Sequence, residues 1–219
     1  MNIVMFGPPG AGKGTQAAHL ATALAVPHIA SGDLFRAIRR SSTPLAREIQ
    51  AFMDRGELVP DGLTDALILG RLGEPDACAG FILDGYPRTV VQAQTLEAML
   101  VRLGRRLDAA LFLKVPAHEV IRRLSARVVC ARCGATYNLV TQPPLCPMTC
   151  DRCSGPLERR SDEQVGTIAH RLEVYRAETE QLAGWYRRSG LVREVDGARS
   201  EEEVRAAIAI ALGLYAGVR

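Results

Sequence analysis

Near its start the chain runs Asn2-Ile3-Val4-Met5-Phe6-Gly7-Pro8-Pro9-Gly10-Ala11-Gly12-Lys13-Gly14-Thr15, and residues 15–25 then carry alanine and leucine at helical spacing. An apolar β-rich run, a glycine loop and a helix follow one another without a break. Glycines in such a loop let successive backbone N–H groups turn inward, and the helix that follows offers its positive dipole end, so the segment suits phosphate oxygens. Lys13 adds a mobile point charge. In the strict P-loop pattern a Ser or Thr follows the lysine; here Gly14 intervenes and the hydroxyl arrives at Thr15.

Outward from the loop, strand and helix patterns alternate. Residues 26–30 read as a strand, Ser31-Gly32-Asp33 as the cap of a helix over 34–40, and 44–55 as a helix stopped by Gly56. Asp61 is placed to cap a helix running to about 72, and Gly80-Phe81-Ile82-Leu83-Asp84-Gly85 reads as a buried strand ending in a carboxylate. Further alternation follows: helix 90–103, strand 109–115, helix 118–127, a long helix 162–188, strand 191–195 and a last helix from 201 to about 215. Strands joined through helices predict an α/β fold with a parallel sheet. Between 130 and 156 proline, glycine and cysteine replace the helical period, which reads as an inserted small domain.

The 219 residues are enough for one such domain with insertions, and 47% apolar with 23% charged residues excludes a disordered or fibrous chain. A net charge of +3 is too small to indicate a nucleic-acid surface. Lys13 and Lys114 are the only lysines, so the remaining positive charge is arginine, whose fork holds phosphate oxygens bidentately. Composition accounts for most of these arginines, and only those at motif positions count as site candidates. No apolar stretch reaches the roughly 20 residues of a membrane helix, and the first residues lack a basic leader, so a cytoplasmic location is expected. There cysteines stay reduced. Cys130-Ala131-Arg132-Cys133 and Cys150-Asp151-Arg152-Cys153 then form two C-x2-C knuckles spaced for a tetrahedral, structural Zn2+ site. Cys146 is an alternative ligand that knuckle spacing disfavours, and Cys78 is expected to be a small buried hydrophobe. Asp84 sits where a carboxylate holds magnesium, directly or through water.

Five segments in order and spacing resemble the adenylate kinase family: the glycine loop, Ser31-Gly32-Asp33-Leu34-Phe35-Arg36, Gly56-Glu57-Leu58-Val59, Asp84-Gly85-Tyr86-Pro87-Arg88-Thr89 with Gln92, and Arg171-Leu172-Glu173-Val174-Tyr175. The resemblance covers nearly the whole chain and points to the long-lid, zinc-containing type. It implies a P-loop core with a five-stranded parallel sheet over 1–29, 60–125 and 164–219, an AMP-binding segment over 30–59 and a lid over 126–163. It implies the reaction of Mg-ATP with AMP to give two ADP.

Carried over by position, the resemblance gives Gly10, Ala11, Gly12, Lys13, Gly14 and Thr15 the ATP phosphates, with Arg123 and Arg127 approaching from the lid hinge. Thr136 and Tyr137 fall where the family's lid touches ATP, and Arg199 where it meets adenine. Arg36 and Arg88 take the AMP phosphate, while Arg160 and Arg171 close on the transferred group. AMP itself falls to Ser31, the backbone of Glu57, Leu58 and Val59, and Gly85, Tyr86, Pro87 and Gln92. Lys13, Arg88, Arg123, Arg127, Arg160 and Arg171 form the implied catalytic set. Such a reaction needs no protein base, because the attacking phosphate oxygen is already ionised. Ser31 stands for the family's usual threonine, and Asn138 where histidine is common; Val128, Val165 and Gly166 replace residues that are often charged.

Two other readings compete. Knuckles among many arginines could form a nucleic-acid-binding zinc ribbon, but that leaves Lys13 and Asp84 without a role and lacks interleaved aromatics. A UMP/CMP kinase would share the core, but pyrimidine kinases usually have a short lid. The expectation is therefore a monomer acting on ATP, AMP and ADP, with no nucleic-acid or membrane partner.

Overall fold

A computed structural model describes residues 1–39, 43–159 and 165–214. Its centre is β1 (Asn2–Phe6), whose side chains alternate strictly: Ile3 and Met5 enter one core cluster and Val4 and Phe6 the other. Both faces of the strand are therefore dry, as a parallel sheet covered by helices requires. β3 (Phe81–Asp84) and β4 (Ala109–Lys114) flank it in parallel, β2 (His28–Ala30) and β8 (Val192–Asp196) lie outside them, and the order is β2-β3-β1-β4-β8. The alternating pattern predicted a parallel sheet, and its five strands are the number the resemblance implied. Chain reversal on either side of β1 opens a crevice at the carboxyl ends of the strands. The glycine loop, Ser31 and Asp84 all emerge there.

α1 (Lys13–Leu24) begins at Lys13, two residues earlier than its apolar period suggested, because Gly12 at φ 88° supplies the turn that starts it. α2 (Ser31–Arg39) likewise starts at Ser31, so that residue is helical instead of a cap. With α3 (Pro44–Arg55), which Thr43 caps and Gly56 ends, α2 packs a separate small core of Phe35, Ile49 and Val59. α4 (Asp61–Leu72) has Pro60 at its cap position, and Asp61 gives no capping bond. α5 (Val90–Arg102) is capped by Thr89. α6 (Ala117–Ser125) stops short of the predicted 127, since Arg127 opens β5 (Arg127–Cys130).

The irregular 130–156 stretch is a small antiparallel sheet in the order β6 (Thr136–Asn138), β5, β7 (Leu157–Glu158). The predicted helix 162–188 is instead α7 (Val165–Val174), a π-helical turn over Tyr175–Thr179, and α8 (Gln181–Arg188); its first residues fall outside those described. α9 (Glu201–Ala211) carries a full Ser200/Glu203 capping box. Cys78 departs from expectation: it is exposed after the short turn Pro75–Ala77, where Ala77 takes the buried place. Among the described residues no helix is long and apolar enough to cross a membrane.

Candidate active site

Gly10 and Gly12 both hold positive φ, 75° and 88°, and so fold the loop into a concave backbone cradle. Gly14 has a different reason to be glycine. A Cβ there would lie 3.3 Å from Asp84 Oδ2, so the missing side chain lets the carboxylate come up beside the loop. Lys13 folds back on that loop and donates from Nζ to the Gly7 and Pro8 carbonyls, each at 2.9 Å.

Its charge is strained. Desolvation lowers the Lys13 pKa to about 8; Asp84 opposes the shift, and the guanidinium groups of Arg88, Arg171 and Arg127 add to it. Burial acts to raise Asp84, but the His28 ring, with Nε2 3.4 Å from Oδ2, and the Lys13 ammonium outweigh it and hold the carboxyl below its ordinary value. Lys13, Arg88 and Arg171 line one cavity, and Asp84 and Arg127 act on Lys13 from beside it, so the positive charge gathered here calls for further negative charge.

Two cavities open from this point. One, of about 590 Å3, is lined by Ser31, Arg36, Gln92, Thr64 and the Gly56–Val59 segment. The other, of about 510 Å3, is lined by Gly7, Pro9, Lys13, Pro87 and Tyr175. Gly56, Leu58, Gly85, Arg88 and Arg171 belong to both. At the junction the Gly85 carbonyl accepts from Ser31 Oγ and from Arg88 Nε, each at 2.8 Å. Gly85 itself has φ 76°, and a Cβ there would meet Ser31 Oγ at 2.9 Å. Two polar side chains are thus set by one carbonyl that only glycine can present.

Beyond the hinge, the sulfurs of Cys130, Cys133, Cys150 and Cys153 all lie within 4.8 Å of one another, with Cys130–Cys153 and Cys133–Cys150 at 3.5 Å. A tetrahedral zinc with bonds of about 2.3 Å needs sulfur–sulfur edges of about 3.8 Å. The four thiols fit that group, and all are free of disulfides. Cys146 is exposed and lies outside it.

A family model described as adenylate kinase matches residues 5–191. The chain belongs to the adenylate kinase family. Adenylate kinases of Carboxydothermus hydrogenoformans and Moorella thermoacetica are 44% and 45% identical to it, each over 97% of this chain and over 99% and 98% of their own lengths. Adenylate kinase of Bacillus pumilus is 45% identical over 97% of the chain and 98% of its own. The chain is an enzyme of this family.

For an adenylate kinase, the residues expected to act are unevenly placed. Arg88 and Arg171 border both cavities, Arg127 lies close enough to act on Lys13, and Arg36 lines the first cavity with Asp33 as its ion-pair partner. Leu58 and Val59 are in the first cavity's wall, as is Glu57, whose carboxylate pairs with Arg55 at 2.7 Å. Arg123 is turned elsewhere: Nε donates to Glu119 at 2.7 Å, and the rest of the guanidinium to the carbonyls of Gly197 and Ala198. That turn packs on the glycine loop, since a Cβ at Gly197 would stand 3.4 Å from the Ala11 carbonyl, and it carries Arg199, held by Asp196 at 3.2 Å. Thr15 and Thr136 are exposed. Arg160 lies outside the described residues.

Tyr86 does not present its side chain to the first cavity. Fully buried, it donates to Asp65 Oδ1 at 2.7 Å from inside the core. Burial first, then that carboxylate, push its phenol well above the ordinary value. Pro87 borders the second cavity instead of the first. Tyr137 turns its hydroxyl toward the cysteines, 3.5 Å from Cys150 Sγ, and accepts from the Asp151 N–H at 2.9 Å. The hydrogen bond between the Tyr137 hydroxyl and the Cys150 sulfur, opposed in part by desolvation, lowers Cys150 to about 6, toward the thiolate that metal binding requires. Asn138 accepts from the N–H groups of Val140 and Thr141 and donates to the Arg123 carbonyl at 3.2 Å, which ties β6 to the end of α6. Val128 is fully buried in the lid core, which is why no charge stands there.

The π-helical turn escaped the sequence reading. Val174, Tyr175 and Thr179 line the second cavity, and a π turn is a frequent mark of a working surface. Its residues keep helical periodicity, so nothing in the sequence signals the extra residue per turn.

Proposed function

We propose that the second cavity takes the phosphates of Mg-ATP, the first takes AMP, and the shared wall of Gly85, Arg88 and Arg171 marks where the phosphoryl group crosses. The observation that carries this is that Arg88 and Arg171 stand on the wall shared by two cavities, with Lys13 in the second and Arg127 close enough to act on it. The reaction is reversible transfer from ATP to AMP, giving two ADP. Its chemistry asks for alignment and charge neutralisation more than for proton transfer. Lys13 and the loop cradle hold the donor phosphates, while Arg36 and Arg88 hold the acceptor phosphate. Arg171, with Arg127 and Arg123 swinging from the hinge, surrounds the moving group. Asp84 would hold the magnesium that accompanies ATP, through water. The four lid cysteines would hold a structural zinc, and the chain divides into core, AMP segment over 30–59 and lid over 126–163. The enzyme works as a cytosolic monomer on free nucleotides.

A coupled ADP-formation assay with Mg-ATP against AMP, GMP, UMP and CMP tests the assignment. AMP is expected to be used well ahead of the others, and equal use of a pyrimidine nucleotide would overturn it.

A pH signature follows from Lys13. The free enzyme releases its ammonium proton near pH 8, and a polyphosphate placed against it favours the charged form. Between about pH 8 and 9, ATP binding should therefore draw a proton from solution, and below about pH 7 it should not, because Lys13 already carries one. Titration calorimetry in two buffers of different ionisation enthalpy measures this. Buffer-independent heats at about pH 8.5 would refute it.

A further inference from the structure

Gln92 makes more hydrogen bonds than a helix cap needs. Thr89 and Gln92 stand at the N-cap and third position of α5: Thr89 Oγ1 accepts from the Gln92 N–H at 3.1 Å, and Gln92 Oε1 accepts from the Arg88 N–H at 2.7 Å. The first of these bonds is capping; the second reaches back one residue past the cap. The other end of the carboxamide is bound from a different element. Gln92 Nε2 donates to Asp61 Oδ1 at 2.6 Å, across 31 positions of sequence, from the first turn of α4. Gln92 is 2% exposed, and it lines the cavity read above as the AMP site.

A backbone N–H can only donate and a carboxylate can only accept, so together these two groups admit one orientation of the amide. Either group alone would oppose the turned amide through one repulsive contact only, which solvent or ligand at the other end could offset. With both in place, turning the amide over would set its NH2 against the Arg88 N–H and its oxygen against a carboxylate, two repulsive contacts in a buried site.

We propose that Asp61 is a specificity-positioning residue: by fixing the polarity of the Gln92 amide it commits the acceptor site to a 6-aminopurine and rejects a 6-oxopurine. The inference rests on the AMP reading of this cavity. A 6-aminopurine donates from N6 and accepts at N1; a 6-oxopurine has the same shape but accepts at O6 and donates from N1. Each end of the Gln92 amide keeps one uncommitted N–H or lone pair, and a fixed amide matches only one of these two edges. A freely turning amide would match both. Asp61 is not in the cavity wall, which Gln92 lines, and acts through Gln92. Because discrimination comes from leaving polar groups unpaired against the wrong base, it can be large for a change of only a few atoms.

Asp61→Asn is the test, since an asparagine offers either oxygen or NH2 to Gln92 and removes one of the two constraints. Steady-state kinetics with Mg-ATP against AMP and inosine monophosphate, which differ at this edge alone, should show the AMP-over-IMP ratio of kcat/KM falling about tenfold or more. The change should come through KM more than kcat, with the thermal midpoint little altered. Asp61→Ser, whose hydroxyl can also donate or accept, carries the same test if the asparagine variant does not fold. A parallel loss on both substrates, or an unchanged ratio in folded variants, would show that Asp61 is structural only. Wild-type enzyme that phosphorylates neither nucleotide would overturn the AMP reading itself. Strong wild-type preference for AMP with an unchanged variant ratio would overturn only the role of Asp61.

Discussion

Arg88→Ala is expected to lower turnover at saturating substrates by about 10²–10³-fold, roughly 3–4 kcal/mol of transition-state stabilisation, while the protein unfolds within a few degrees of wild type. Arg88 is among the residues that border both cavities, and its Nε is held by the Gly85 carbonyl at 2.8 Å, which directs the guanidinium into the junction. Charge that develops on the transferred group is met there by a donor fixed before the reaction begins, which is the arrangement that affects kcat more than binding. Folding has little at stake. The side chain is half-buried between unlike and like charges: it helps keep Asp84 ionised and it depresses Lys13, so its removal has opposed effects on the fold. Arg88→Lys should recover only part of the loss, because an ammonium supplies charge without the planar fork. Rapid-quench or coupled assays beside thermal melts separate the two effects. Near-native turnover in a folded Arg88→Ala enzyme would remove this residue from the transition-state clamp.

The sheet and the glycine cradle were legible because their signals are local. Contiguous glycines, a strand of apolar residues and a helix in one short window leave few other structures, and two C-x2-C knuckles announce themselves by spacing. What remained hidden depends on residues brought together by the fold. Asp61 reads as a helix cap in sequence, yet Pro60 occupies that position and the carboxylate reaches Gln92 instead. Tyr86 sits inside a substrate motif but serves the core through Asp65. Cys78 looks like a core residue by type, and the turn before it places Ala77 inward in its stead. Tyr137 lies on a lid strand paired with β5, where the resemblance implies a contact to ATP; in the structure its hydroxyl is directed at Cys150. For Asp61, Tyr86 and Tyr137 the role followed from partners well separated in the chain.

Removing the lid metal should unfold the lid and leave the core standing. The lid core contains Val128 and Leu157 as its buried aliphatic residues, with Cys130 and Cys150 filling the rest. Ordering a residue costs about 1–2 kcal/mol, so a segment of this length cannot be held by two aliphatic side chains and a three-stranded sheet of two to four residues per strand. Zinc bound by four thiolates supplies about 10–16 kcal/mol in small zinc domains, the scale of stabilisation that this segment lacks. Purified enzyme is therefore expected to carry one zinc per chain by elemental analysis. Chelation should lower the lid's melting by more than about 10 °C and depress turnover, because closure over ATP needs an ordered lid. Cysteine variants sharpen the test. Cys150→Ser should lose the metal, whereas Cys146→Ser should keep it, since Cys146 is exposed and apart from the four converging sulfurs. Protein that holds no stoichiometric metal, or a lid whose melting ignores chelation, would leave the four thiols as a hydrogen-bonded cluster and the zinc assignment without support.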